Sequence, residues 1–202
     1  MEDTILKTIR TYDKYAEKYF QINNSIDEIK NLLEIFVENL NGEKILDVGC
    51  GHGRDAKFFS DLGYEITGVD LSEKLLEIAR KNAPKAEFYL MDMRNLAFPS
   101  DYFDGIWACA SFLHIPKKDS RKTLDEFYRV LKPNGLLYLS VKEGYGEGFV
   151  KSAQYGNEER YFAFYNSKEL KELVKGKFKV FNEIIEKKKD NWINIFARKL
   201  NL

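Results

Sequence analysis

The chain has 202 residues, with 32 Lys plus Arg against 32 Asp plus Glu, which is enough for one well-buried α/β domain and short for two. That balance argues against a protein that holds nucleic acid mainly by bulk charge, while leaving room for a local basic patch. No apolar run approaches the roughly 20 residues of a membrane span, and the polar start, MEDTILKTIR, carries no signal-peptide apolar core. The expectation is a soluble cytoplasmic protein with no membrane partner.

Residues 4–20 and 25–40 read as two helices. In the first, Tyr12, Tyr15 and Tyr19 recur at three- and four-residue intervals and share a face, either packing the helix onto the core or roofing a site. In the second, Ser25 followed by Glu28 reads as a capping box, and Ile29, Leu32, Leu33, Phe36, Val37 and Leu40 repeat at helical spacing.

The stretch ILDVGCGHGRDAKFFSDLGYEITGVD, residues 45–70, organises the rest of the chain. Ile45, Leu46 and Val48 read as a short buried strand that leaves its sheet through Gly49, Cys50, Gly51, His52 and Gly53. A helix comes next, carrying Ala56, Phe58, Phe59 and Leu62. Glycines at 49, 51 and 53 permit positive φ and leave no Cβ between the backbone and a ligand lying on the helix N-terminus. A second strand, 65–69, ends in Asp70, a carboxylate about 20 residues past the glycines and placed to accept from both hydroxyls of a ribose. The spacing departs from a dinucleotide fingerprint, because Arg54 stands three residues after Gly51 and the third glycine comes one residue early. Asp-Val-Gly-Cys-Gly-His-Gly instead resembles motif I of the class I S-adenosylmethionine-dependent methyltransferases.

After Asp70 and Leu71, a helix is expected over 72–81, and Pro84 prevents its continuation. A third strand, 86–90, delivers Met91, Asp92 and Met93 to the same sheet edge. There a carboxylate suits the exocyclic amine of an adenine, and the next backbone N–H suits a ring nitrogen. An Asp in this place is equally a turn former. A fourth strand over 102–110 is followed by His114, then by a helix over 119–131, a turn at Pro133, Asn134 and Gly135, and a fifth strand over 136–141. The run MDMRNLAFPSDYFDGIWACASFLHIP resembles the methyltransferase segment in which an Asp ends the third strand ahead of an apolar-Pro stretch, Phe-Asp and the fourth strand. YRVLKPNGLL resembles the post-core signature of the same superfamily.

Beyond 142, glycines 144, 146 and 148 sit among acids and Tyr145, so residues 143–166 read as a loop or lid. Ser167 is expected to cap a helix through 174. Two strands, 178–186 and 192–199, complete the chain, joined by the solvated turn KKKDN. The two cysteines, Cys50 and Cys109, match no metal-binding or redox spacing and read as reduced, half-buried side chains, so no metal is expected.

The resemblance covers residues 44–141 closely and the flanks faintly. It implies a single methyltransferase domain over 1–202: a helical cap at 1–42, a cofactor-binding core at 43–142, a substrate loop at 143–166 and a final helix and hairpin at 167–202. The implied fold is α/β, a doubly wound, seven-stranded, mostly parallel sheet with the last strand antiparallel. The implied cofactor is S-adenosylmethionine. Asp70, beside Leu71, would hold the ribose; Asp92 and Met93 the adenine; the turn at Gly49, Cys50, Gly51 and Gly53 the methionyl part; and Asp47 its ammonium. Arg54, where many members carry no such group, would compete for the methionine carboxylate, on a turn where His52 is expected to be exposed. YDKYAEKY resembles the segment that closes over the methionine end, which makes Tyr15 and Tyr19 candidates for a roof.

Candidates for the acceptor pocket are His114, also a candidate general base, with Tyr145, Arg160, Tyr161 and Tyr165. Such residues suit an apolar or aromatic small molecule with one hydrogen-bonding group. RYFAFY, with the later Trp192, is faintly similar to the tRNA wobble-uridine carboxymethyl-ester methyltransferases, which keeps tRNA as an alternative acceptor. A cofactor-binding module without catalysis is the third reading.

Overall fold

A computed structural model describes residues 4–187 and 190–201. The elements in chain order are α1 (Thr4–Lys14), α2 (Ala16–Asn23), α3 (Lys30–Asn39), β1 (Lys44–Val48), α4 (Arg54–Asp61), β2 (Glu65–Asp70), α5 (Glu73–Asn82), β3 (Glu87–Leu90), β4 (Phe103–Cys109) and α6 (Lys117–Val130). They continue as β5 (Leu131–Lys142), β6 (Glu147–Ser152), β7 (Glu158–Ala163), α7 (Ser167–Val174), β8 (Phe178–Lys187) and β9 (Asn191–Lys199). Seven strands form one sheet in the order β3-β2-β1-β4-β5-β9-β8. Neighbours from β3 to β5 are parallel, and β9 runs antiparallel to both β5 and β8, as expected for the last strand.

Alternation along the strands explains the doubly wound form. Ile45 and Trp107 point to a core with Leu33 and Phe36 of α3, Phe59 of α4 and Leu76 of α5. Leu46, Val48 and Ile106 point the opposite way, to Leu124 and Phe127 of α6 and Leu170 of α7. Both faces are covered, which is why the central strands read as continuous apolar runs rather than alternating ones. Gly105 is required by this packing, since a Cβ there would stand 2.7 Å from Leu40 and 2.8 Å from Phe36. The sheet order reverses between β1 and β4, and it is outside their carboxyl ends that open sheets of this kind form a crevice.

Four local expectations differ from the structure. The first helix is two: the backbone at Tyr15 leaves helical geometry (φ −117°, ψ 22°) and separates α1 from α2. Ser25 caps nothing helical. Its hydroxyl accepts from Asp27 N and donates to Asp27 Oδ2 in a local turn, and α3 begins only at Lys30. Asn166, not Ser167, caps α7, its side chain accepting from Glu169 N.

The largest difference is in 143–166, where β6 and β7 pair as an antiparallel hairpin, Gly148 opposite Phe162. Its turn is built on Gly156 and Asn157, both at φ 61°. The hairpin is tied to α1: Thr8 Oγ1 accepts from Tyr161 N at 2.9 Å, Thr11 Oγ1 donates to Glu159 O at 3.0 Å, and Lys7 and Lys14 pair with Glu159 and Glu158. Of the expected charged turn at 187–191, Lys188 and Lys189 lie outside the described residues.

Candidate functional site

The carboxyl ends of β1, β2 and β4, with the segment after β3, surround a cleft roofed by α1 and α2. Its lining includes Gly49, Gly51, Asp70, Leu71, Asp92 and Met93 from below and Thr8, Tyr12 and Tyr19 from above. At the turn after β1, Gly51 sits at φ 55°, in the left-handed region, and a Cβ there would project to 3.9 Å from the Tyr19 ring. The turn is therefore held open beneath Tyr19. Gly53 serves packing instead, because a Cβ would meet Ala79 at 3.0 Å.

Asp70 is pre-positioned by the backbone: Oδ2 accepts from Gly51 N at 2.9 Å and Oδ1 from Ser72 N at 2.8 Å. Burial raises its carboxyl above the usual range, with the amides pulling the other way. Each oxygen keeps a further acceptor site. Asp92 is less free. Burial pushes its carboxyl up, but hydrogen bonds from the Arg94 guanidinium and backbone N outweigh this and hold it below the ordinary value. Arg94 also reaches Asp119 at 3.2 Å.

Beneath the glycine turn, Asp47 is 2% exposed and its Oδ2 has no hydrogen-bond partner. Burial first, and neighbouring Asp55 second, raise its carboxyl well above the usual range, against the pull of Arg54. Such a group is completed by a cation or a proton. Arg54 is committed elsewhere: Nε and Nη2 meet Asp55 at 2.6 and 3.2 Å, and Nη1 donates to Asn23 O. Asp55 also accepts from Trp107 Nε1 at 2.8 Å. Burial pushes the thiols of Cys50 and Cys109 up, so both stay protonated at neutral pH.

A second cavity lies on the far side of Tyr12, Tyr19, Cys109, Ala110 and His114, which line both spaces. Ala110 is one of the non-glycine residues in the left-handed region, at φ 52°, so the floor shared by the two spaces carries backbone strain. Arg54, Lys142, Tyr155, Arg160, Phe162 and Trp192 are among the other lining groups. Here Arg160 Nη1 donates to Tyr12 Oη at 2.9 Å, and Tyr12 Oη stands 2.9 Å from His114 Nε2.

The structure brings some of the expected residues together and not others. Gly49, Gly51, Asp70, Leu71, Asp92, Met93 and Tyr19 line the first cleft, and His114 and Arg160 line the second. Tyr15 does not face either space. The break at its own backbone turns it onto the hairpin, its ring 6.0 Å from Tyr155 and its hydroxyl against Gly156. Tyr145 is 83% exposed, away from both spaces. Tyr165 is buried in the core with its hydroxyl 2.8 Å from Ser120 Oγ, and Tyr161 contributes its carbonyl, not its ring, to His114. His52 is buried, not exposed as expected, between Tyr19 and Phe20, and burial takes its pKa down to about 4. Tyr12 of the aromatic stripe roofs the site beside Tyr19, while Thr8 and Ser111 belong to it without having been singled out; Ser111, whose Oγ donates to Val48 O, follows the fourth strand as His114 does. Among the described residues no cluster of His, Cys, Asp and Glu is able to hold a metal ion, and no helix is long and apolar enough to cross a membrane.

Residues 45–135 match the family described as a methyltransferase domain. The demethylmenaquinone methyltransferase of Thermotoga maritima is 36% identical over 139 residues, 65% of this chain and 59% of that protein. The chain spans about half the length of the curated relatives it matches, 48% of the length of the Streptomyces halstedii methyltransferase GfsG being a further case. Among solved structures, the 1,6-didemethyltoxoflavin-N1-methyltransferase of Burkholderia thailandensis superposes with a TM-score of 0.76 at 19% identity, covering 98% of this chain and 88% of that one. The cyclase SpnF superposes with a TM-score of 0.73 at 19% identity, covering 95% and 94%, so this fold is shared by proteins of different activity.

Proposed function

We propose that this chain is a class I S-adenosylmethionine-dependent methyltransferase that transfers a methyl group to a small-molecule acceptor in the cytoplasm, a reading supported by the methyltransferase-domain match over residues 45–135 and by relatives named as methyltransferases. The observation that carries this is the pair of spaces on one sheet edge: a cleft with Gly51, Asp70, Asp92 and Met93, and a cavity sharing a wall with it at Tyr12 and His114. The orphaned Asp47 Oδ2 and the gap beneath Tyr19 at Gly51 fit the methionyl end of such a cofactor.

Bound S-adenosylmethionine supplies a sulfonium-activated methyl group, which leaves the protein to bind, aim and exclude water. Asp70 has acceptor sites left for the two ribose hydroxyls once Gly51 and Ser72 have donated. Asp92 and the Met93 N–H take the adenine edge, Asp92 sharing its oxygens with Arg94. Asp47 receives the ammonium, replacing its missing partner with a charge-assisted hydrogen bond. Tyr19 and Tyr12 close over the turn. The acceptor would occupy the second cavity, next to the cofactor cleft at Cys109, Ala110 and His114, which line both spaces. In this reading residues 1–202 act as one domain, the helices of 4–39 capping it and the hairpin within 143–166 forming the outer wall of the acceptor cavity.

The small-molecule class is supported by what the relatives are named for: demethylmenaquinone, 27-O-demethylrifamycin SV and 1,6-didemethyltoxoflavin are all small acceptors. Calorimetry with S-adenosylhomocysteine and NAD tests the cofactor reading. Micromolar binding of S-adenosylhomocysteine and none of NAD is expected; the reverse pattern would remove the proposal. Since the fold also houses a cyclase, formation of S-adenosylhomocysteine in the presence of acceptor mixtures separates a transferase from a cofactor-binding module.

A further inference from the structure

Arg160 is a cation whose fixed partners are all neutral. It projects from β7 into the acceptor cavity, where Nη1 donates to the Tyr12 hydroxyl and Nε is buried with no hydrogen-bond partner. Its guanidinium carbon lies 4.6 Å from the centroid of Tyr155, 5.2 Å from Phe162 and 5.3 Å from Tyr12. No carboxylate pairs with it among the described residues. The other cations of the same cavity differ: Arg54 is neutralised by Asp55 and Lys142 by Asp190. Two acids also line the cavity, Glu28 from the connection between α2 and α3 and Glu186 from β8. Glu186 accepts from Asn194 Nδ2 at 3.3 Å, and the side chains that act most on the Arg160 charge are phenols, those of Tyr12, Tyr155 and Tyr19.

A guanidinium withdrawn from water and held by ring faces retains its attraction for anions, and its planar fork matches a carboxylate better than a single-atom anion. The rings that surround it offer flat apolar walls to the rest of a ligand. Resting on the reading that the second cavity takes the methyl acceptor, we propose that this acceptor is a planar aromatic acid and that Arg160 receives its carboxylate. The carboxylate meets the guanidinium and the ring system lies among Tyr12, Tyr155 and Phe162. The carboxylate is the anchor, and it is held beside Tyr12, which belongs to the wall shared with the cofactor cleft. Binding satisfies the Arg160 charge without displacing any ion pair.

The test is calorimetry on the chain saturated with S-adenosylhomocysteine, using benzoate, 4-hydroxybenzoate and indole-3-carboxylate, each against its primary amide. The native chain should bind at least one acid about tenfold or more tighter than the matching amide, the scale of a hydrogen bond to a charged group. Arg160→Gln should abolish that preference while S-adenosylhomocysteine affinity stays unchanged, and Arg160→Lys should keep part of it. Equal binding of acid and amide by the native chain, no binding of any acid at millimolar concentration, or a preference that survives Arg160→Gln would overturn the proposal. Should Arg160→Gln fail to fold, the native acid-against-amide comparison decides. Failure to bind S-adenosylhomocysteine itself would instead remove the methyltransferase reading, so the two failures are read on different ligands.

Discussion

Tyr12 and His114 meet side chain to side chain, with the phenol oxygen 2.9 Å from Nε2, although 102 positions separate them in the chain. His114 Nδ1 stands 2.6 Å from the Tyr161 carbonyl, which only accepts, so Nδ1 carries the proton and Nε2 accepts from Tyr12. Burial, with Arg160 and Lys142 nearby, takes the ring down to about 3 against the pull of the carbonyl. A ring so placed is neutral at pH 7 and has both nitrogens engaged, which is the description of a clasp between α1 and the end of β4.

His114→Ala is therefore expected to lower thermal stability and to reduce turnover by less than about tenfold. General-base assistance is typically worth about 10² to 10⁴ in rate. A loss of that size with an unchanged melting temperature would restore the general-base role.

The same residue sets a pH dependence. Its folded pKa is depressed from the ordinary value near 6.5, so below that value the unfolded chain takes up a proton that the folded chain refuses. The stabilisation is complete above about 6.5 and is lost as pH falls toward about 3. His52, at about 4, adds a second contribution of the same sign. Melting temperatures of the native chain and His114→Gln between pH 7 and 5 should show a shallower decline in the variant. Parallel curves would mean that His114 is not neutral in the fold.

Asp70→Ala should weaken S-adenosylhomocysteine binding by about 1.5 to 3 kcal/mol, the scale of hydrogen bonds to a charged acceptor. Calorimetry reads this directly. Unchanged affinity would place the ribose elsewhere.

Asp55→Ala should destabilise the fold by about 3 to 5 kcal/mol, because Arg54 is left as a buried charge without its partner and Trp107 loses its acceptor. Pairing it with Arg54→Met should recover much of the loss. Denaturant melts of the single and double variants measure this, and additive losses would show that the two side chains do not act as a pair.

With acids and bases in balance, tRNA binding should be weak at physiological salt and small molecules should be preferred as acceptors. Filter binding at two salt concentrations checks it. Tight, saturable binding with a steep salt slope would favour a tRNA acceptor.

The central part of this architecture was legible because its signals are local. An apolar run ending at Val48, glycines whose positions need positive φ, and carboxylates at Asp70 and Asp92 after strand-like stretches lie within a few residues of the structure they specify. The helix expected over 72–81 forms as α5, with Ser72 standing just ahead of it as the N-cap, its Oγ accepting from Leu75 N. The helix break at Tyr15 has no Gly or Pro to announce it and follows from α1 packing on a hairpin far along the chain. That hairpin was itself hidden, because β6 has the composition of a loop, with Glu147, Gly148 and Lys151 in a mostly exposed strand, while the burial of Tyr161, Phe162 and Ala163 in β7 depends on partners from elsewhere. The fate of each tyrosine likewise depends on distant contacts. Tyr145 and Tyr165 are both pocket residues by type, yet one ends in solvent and the other against Ser120.

The bonds that tie α1 to the hairpin have a kinetic meaning. Thr8, Thr11, Lys7 and Lys14 hold the roof of one space to the outer wall of the other, and Tyr12 with Arg160 closes the seam. Under the proposed transfer, opening of either space is expected to carry the other along, so that release of the spent methyl donor and release of the methylated product would share a rate.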